Sequence, residues 1–123
     1  MNTILAIAAH PDDEVLGSGG TMARFTLEGN DVYTLILGEG ITSRDKKRMR
    51  VKRGGEIVEL RKQAENANKI LGVKKVYTFG FPDNRFDTVP LLDIIKTIEE
   101  IKEALKPDIV FTHHYGDLNI DHQ

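Results

Sequence analysis

Short runs of apolar residues alternate along this chain with longer segments in which apolar residues recur every three or four positions. The first run, TILAIAA, has no polar face, which is typical of a parallel strand covered on both sides. The later runs are rich in β-branched and aromatic residues, which favour strands. The predicted strands cover Thr3 to Ala9, Asp31 to Leu37, Lys75 to Phe79 and Asp108 to Thr112.

The segments between these runs have the spacing of amphipathic helices. The pattern predicts one helix from Gly19 or Gly20 to Glu28, a second from Ile57 to Leu71, and a third from near Pro90 to the residue before Pro107. Strands that alternate with helices favour right-handed crossovers and a parallel sheet. We therefore predict a single domain over residues 1–123 with an α/β fold, a Rossmann-like three-layer α/β/α sandwich with a mainly parallel sheet.

Composition and length restrict the function classes. A chain of 123 residues has the size of one modest domain. Its net charge of −2, with 29% charged and 40% hydrophobic residues, is typical of a soluble globular protein and argues against general nucleic-acid binding. The absence of cysteine excludes disulfides, thiolate metal sites and cysteine nucleophiles. No apolar run approaches the roughly 20 residues that span a bilayer, and the N-terminus lacks the basic segment of a signal peptide, so we expect a cytoplasmic protein.

Residues whose side chains can bind a metal or transfer a proton follow the first and the fourth predicted strands. His10 and Asp13 in the string HPDDE can point to one spot, and they offer an imidazole nitrogen and a carboxylate oxygen. A catalytic zinc ion needs three such ligands and a water. The polar tail offers the third ligand from one of three histidines: His113, His114 or His122. If strands one and four are neighbours, the two turns meet at the carboxyl edge of the sheet, and Asp12 is placed to take a proton from the water that the metal activates.

Other interpretations of these residues remain open. Acidic residues favour the start of a helix, so Asp12 to Glu14 would suit a helix N-terminus without any metal. Glycines 17, 19 and 20 lack the spacing of a nucleotide-binding turn, and we expect them to allow close packing of the helix start against the metal turn. The basic run from Arg44 to Arg53 is expected in a loop, either solvated or facing an acidic group of a substrate. A non-catalytic sugar- or nucleotide-binding Rossmann-like module is therefore the second hypothesis.

The strings AHPDDEVLGSGGTMARF and GDLNIDH closely resemble the PIG-L/LmbE-like family of zinc-dependent N-deacetylases, which act on N-acetylglucosamine-containing and related acylated amino-sugar compounds. The segments ELRKQAENANKILGV, FPDNRFDTVPLLDIIKTIEE and KPDIVFTHH also look like the middle of that family. The resemblance thus covers nearly the whole chain. It implies zinc (Zn2+) bound by His10, Asp13 and His122, Asp12 as general base, and hydrolysis of an N-acetyl group on a small amino sugar or sugar conjugate.

The resemblance also implies residues that contact the substrate. An arginine is expected among three candidates: Arg53, Arg61 and Arg85. Many family members read HPDH where this chain reads NIDH, so Asn119 stands where they have a histidine that assists the transition state. That assistance would then either be absent or come from His113 or His114.

Relatives in this family are commonly much longer, so the chain looks like an N-terminal portion. His122 would then lie at an end where fraying is expected. Sheet edges left open would favour association into a homo-oligomer.

Overall fold

The computed structural model describes residues 1–40 and 54–123, so the predicted basic loop from Arg44 to Arg53 lies outside the described residues. The described elements follow in the order β1 (Thr3–Ala8), α1 (Asp13–Leu27), β2 (Asp31–Gly38), α2 (Gly54–Ile70), β3 (Lys75–Phe81), α3 (Leu91–Leu105) and β4 (Ile109–Phe111). Two short 3₁₀ turns, Phe86–Thr88 and Ile120–His122, follow β3 and β4.

The strands form one parallel sheet in the order β3-β2-β1-β4. The central strand β1 pairs with both β2 and β4, so the predicted neighbours one and four do lie side by side. Ile4 and Leu5 in β1 have no exposed surface, which agrees with the unbroken apolar pattern of this strand. The carboxyl ends of all strands therefore lie at one edge of the sheet, where the loops carrying His10, Asp83 and His113 begin.

Helices cover both faces of the sheet. On one face, Met22 and Phe25 from α1 and Leu71 after α2 pack with Ile4 and Val32. The opposite face packs against α3 through another set of apolar residues: Leu5, Leu35, Ile94, Ile98, Ile101 and Leu105. This arrangement confirms the predicted three-layer α/β fold.

The start of α1 differs from the prediction. The helix begins at Asp13 and passes through the three glycines, where the sequence pattern placed its start at Gly19 or Gly20. Two acidic residues in the first turn stabilise this earlier start, and packing of the helix on the sheet outweighs a cost of about 1 kcal/mol per glycine. The expected role is also wrong for Gly17 and Gly20, because a Cβ at either would meet nothing within 4 Å. A Cβ at the buried Gly19 would make only ordinary contacts, 3.6 Å from Val15 and 3.8 Å from Leu71.

The strands differ from the predicted ones only at their ends: β2 and β3 continue to Gly38 and Phe81, whereas β4 spans Ile109–Phe111.

Among the described helices, none has both the length and the apolar character needed to cross a bilayer.

Candidate metal centre and active site

Three side chains converge at the carboxyl edge of the sheet: His10 from the loop after β1, Asp13 from the start of α1 and His122 from the turn after β4. Asp13 Oδ2 lies 3.3 Å from His10 Nδ1 and 3.1 Å from His122 Nε2, and the two ring nitrogens are 3.4 Å apart. Ligands about 2.0–2.1 Å from a tetrahedral ion are roughly 3.3 Å from one another. The spacing of the three donor atoms therefore fits one zinc-sized ion.

The β1 loop is held in place by a close approach of β2. Gly38 N donates to Ala9 O at 2.6 Å, and a Cβ at Gly38 would lie 2.6 Å from the same oxygen and 3.2 Å from His10 Cδ2. Glycine is therefore required at this position if His10 is to keep its place. The backbone N–H of His10 in turn donates to Asp13 Oδ2 at 3.1 Å, which fixes the two predicted ligands relative to each other.

Each of the two histidines also has a carboxylate at its other ring nitrogen. His10 Nε2 lies 2.7 Å from Asp121 Oδ2, and His122 Nδ1 lies 2.9 Å from Asp117 Oδ2. The Asp121 side chain has no exposed surface and also accepts the backbone N–H groups of Asn84 and Phe86. Such outer carboxylates fix the tautomer and the orientation of metal-ligating histidines, so the site offers both ligands and their supports.

The cluster carries more negative than positive charge near His10. Asp83 Oδ1 lies 3.1 Å from His10 Nε2, on the same side as Asp121. Burial alone would lower the pKa of His10, but hydrogen bonds to Asp121 and Asp13, together with the nearby carboxylate charges, raise it to about 10. Burial likewise opposes the ionisation of Asp13, yet the hydrogen bond from His10 lowers its pKa overall. The surrounding acids thus stabilise a positive charge at this spot, whether a proton or a metal ion.

Asp12 occupies the N-cap position of α1, but its side chain makes no capping hydrogen bond. Its backbone is left-handed, with φ +93° and ψ −26°. Partial burial and the charge of Asp13 raise the pKa of the Asp12 carboxyl. Asp13 and Glu14 do lie in the first turn of α1, whereas the Asp12 side chain forms no capping hydrogen bond and remains available for chemistry beside the cluster.

The histidines of the tail differ in their surroundings. His113 Nε2 accepts the backbone N–H of Ala9 at 2.9 Å, and its ring stacks on His122 with centroids 3.7 Å apart. Burial and the neighbouring His122 lower the pKa of His113. His113, Asp117 and His122 form a second group whose donor atoms lie within 4.8 Å of one another. His114 is exposed, its ring packs against Tyr115, and it borders the same cavity as Asp13 and His113.

The residues predicted to contact substrate are not all brought to the cluster. Asn119 accepts the Asp121 N–H and donates to the side chain of Asn84 at 3.1 Å, so it supports the local turn. Arg85 lies between the two residues whose N–H groups bind Asp121. Arg61 is half-buried on α2, and Arg53 lies outside the described residues.

Two cavities border the cluster. One of about 400 Å³ is lined by polar groups that include Asp13, Ser18 and Asp117. The other, of about 520 Å³, is mostly apolar and is lined by residues such as Phe86 and Ile98. A small polar molecule in the first cavity would reach Asp13 directly.

The sequence pattern gave no role to Asn68 or Asp83, and it placed Glu14 only at a helix N-terminus. Asp83 follows the carboxyl end of β3, and the rule that strand ends gather at one edge was a sufficient signal for it. Asn68 is a polar residue on the inner face of α2, three positions before Leu71 and four after Ala64. That break in the apolar pattern was the available signal, but it does not say which partner the amide meets.

Comparison with known proteins decides the family. The family model PIG-L, described as GlcNAc-PI de-N-acetylase, matches residues 5–123. The chain belongs to the PIG-L family. It is 32% identical over 124 residues to the uncharacterized deacetylase YaiS of Escherichia coli K12, covering 97% of this chain and 61% of that protein.

Two diacetylchitobiose deacetylases are also similar to this PIG-L family chain. The diacetylchitobiose deacetylase of Thermococcus kodakarensis is 32% identical over 108 residues, which cover 87% of this chain and 39% of that protein. The structure of N,N'-diacetylchitobiose deacetylase from Pyrococcus horikoshii superposes with a TM-score of 0.81 at 27% identity, covering 98% of this chain and 45% of that one. The chain thus spans less than two thirds of the length of each of these relatives.

Proposed function

We propose that this chain carries the metal centre of an N-deacetylase that hydrolyses the N-acetyl group of an N-acetylglucosamine-type amino sugar or sugar conjugate. The observation that carries the proposal is the convergence of His10, Asp13 and His122, with donor atoms 3.1–3.4 Å apart. The deacetylases among its relatives support the reaction class. We also propose a cytoplasmic location.

The donor set fits zinc, because two imidazoles and one carboxylate, each ring with a carboxylate behind it, match a catalytic site that keeps one position open. When bound by these three residues, zinc would polarise the acetyl carbonyl and lower the pKa of water. Three carboxylates, those of Asp13, Asp83 and Asp121, lie 2.7–3.3 Å from the ring nitrogens of His10 and favour a cation here. We therefore propose His10, Asp13 and His122 as the ligands.

Asp12 is proposed as the general base. Its carboxylate accepts a proton from the water that attacks the acetyl carbon, and its raised pKa brings it closer to the pH at which it works. The C–N bond then breaks, acetate leaves, and the proton held by Asp12 passes to the amine nitrogen. One carboxyl group thereby carries the proton from water to the leaving amine.

The sugar is proposed to bind in the polar cavity of about 400 Å³ beside Asp13. His113 lines this cavity and is a candidate for hydrogen bonding to the developing oxyanion. Arg53, Arg61, Arg85 and Asn119 remain proposed substrate contacts from the family resemblance.

Acetate release from N,N'-diacetylchitobiose tests the proposal. We expect release that stops with a chelator, returns with zinc and is lost in Asp12→Asn. Asp87→Asn, which alters an exposed aspartate of the Phe86–Thr88 turn, serves as the matched control. Sugar binding without acetate release in the zinc-loaded protein would contradict the proposal and favour the non-catalytic binding module.

A further inference from the structure

A chain of buried polar side chains runs from the sheet to the turn that carries Asp12. Thr34 in β2 donates to Asn68 Oδ1 at 2.7 Å, and Asn68 Nδ2 donates to Glu14 Oε1 at 3.0 Å. The other oxygen of Glu14 accepts the backbone N–H of Asp12 at 3.2 Å. All three side chains lie inside the protein, with exposed fractions of 3% for Glu14 and 0% for Asn68 and Thr34.

The direction of each hydrogen bond in this chain is determined. Asn68 Nδ2 also donates to Ala64 O at 2.8 Å, so its amide nitrogen faces two acceptors and its oxygen faces the Thr34 hydroxyl. Both oxygens of Glu14 therefore face N–H donors. A glutamate satisfies this arrangement, whereas a glutamine would set its NH₂ group against one of the two donors.

This series of hydrogen bonds ends at Asp12, whose backbone has an unfavourable conformation. Asp12 has φ +93°, a region that residues with a side chain adopt rarely. The side chain of Asp12 makes no capping hydrogen bond, and the backbone N–H of Asp12 is held by the Glu14 carboxylate. Buried and fully hydrogen-bonded networks of this kind are rigid.

We propose that Glu14, held by Asn68 and Thr34, is a positioning residue that fixes the Asp12 peptide and thereby the direction of the Asp12 carboxylate. The inference rests on the proposed function, because it assumes that Asp12 acts on the substrate. Glu14 borders the cavity proposed for the sugar, but both of its carboxylate oxygens are occupied by the Asp12 N–H and the Asn68 amide, so the carboxylate binds neither substrate nor metal in this proposal. Its effect is on turnover, since a small displacement of a catalytic group costs rate more than it costs substrate binding.

The first test is made on the unmodified protein. Amide hydrogen exchange measured by NMR should show the Asp12 N–H exchanging at least about ten-fold more slowly than an unprotected amide, although Asp12 is exposed. Exchange at the unprotected rate would overturn the proposal. This exchange measurement needs no catalytic activity, so failure of the inference about Glu14 can be distinguished from failure of the proposed function.

The second test compares Glu14→Gln with a matched control, Thr26→Val. Thr26 joins the other end of α1 to Leu71 O through a 2.7 Å hydrogen bond, so its loss weakens the packing of α1 far from Asp12. For Glu14→Gln we expect kcat to fall by about 10- to 100-fold, with KM and zinc stoichiometry unchanged and with faster exchange at Asp12. Thr26→Val should lower the melting temperature and leave kcat unchanged.

Equal kcat in Glu14→Gln and the unmodified protein, with unchanged exchange at Asp12, would overturn the proposal. If Glu14→Gln does not fold, the exchange rate of the Asp12 N–H in the unmodified protein still decides whether Glu14 holds the Asp12 peptide. Absence of acetate release from the unmodified, zinc-loaded protein would refute the proposed function, and the exchange rate would again decide whether Glu14 holds the Asp12 peptide.

Discussion

His10 should make the metal-free protein less stable as the pH rises from 7 to 9. Its pKa is raised to about 10 in the folded protein by Asp121, Asp13 and Asp83, against an ordinary value of 6.5. A group whose pKa is higher in the folded than in the unfolded protein contributes its full stabilisation at pH values below its unfolded pKa. This contribution is lost as the pH rises through the pKa of the folded protein. Linkage over this window gives a loss of about 2–2.5 kcal/mol in the free energy of unfolding between pH 7 and pH 9.

Urea unfolding of chelator-treated protein at pH 7, 8 and 9 measures this effect. The denaturation midpoint should fall steadily, and the slope with pH should be shallower in Asp121→Asn, which removes the strongest contact that raises the pKa of His10. With saturating zinc the fall should disappear, because the ion replaces the proton at His10. A free energy of unfolding that stays constant or rises from pH 7 to 9 in the metal-free protein would refute the reasoning.

Three further predictions follow from the site. Asp12→Asn should abolish turnover with zinc still bound, whereas Asp13→Ala should lose the metal. Elemental analysis and an acetate assay on each variant check both outcomes, and the reverse pattern would overturn the roles of Asp12 as base and Asp13 as ligand. Asp121→Asn should weaken zinc affinity about 10- to 100-fold in a chelator competition, and unchanged affinity would exclude a supporting role. Gly38→Ala should destabilise the protein by about 1–3 kcal/mol, because the added Cβ would lie 2.6 Å from Ala9 O; an unchanged melting temperature would contradict this.

The fold was predictable because its signals are local and repeated. The apolar run from Thr3 to Ala8 could bury both of its faces only in the middle of a sheet, and it does lie there. The start of α1 was not predictable from glycine propensity, since packing of Met22 and Phe25 on the sheet stabilises a helix that begins at Asp13. Tertiary contacts of this kind leave no local pattern.

The candidate site was predictable in its centre and not in its surroundings. His10 and Asp13 are three residues apart in one turn, so their convergence follows from local sequence. The contacts of Asp121 with the β1 loop and of Asn68 with Glu14 join residues far apart in the chain, and they depend on the strand order. Spacing along the sequence carries no information about such pairs.

Zinc stoichiometry tests the central claim most directly. The purified protein, supplied with zinc and freed of unbound metal, should contain about one ion per chain by elemental analysis, as expected for one set of three protein ligands. His122→Ala should contain none while His114→Ala, which alters the exposed histidine, keeps the ion. No zinc in the folded unmodified protein, or equal zinc in both variants, would contradict the claim that His10, Asp13 and His122 form a metal centre.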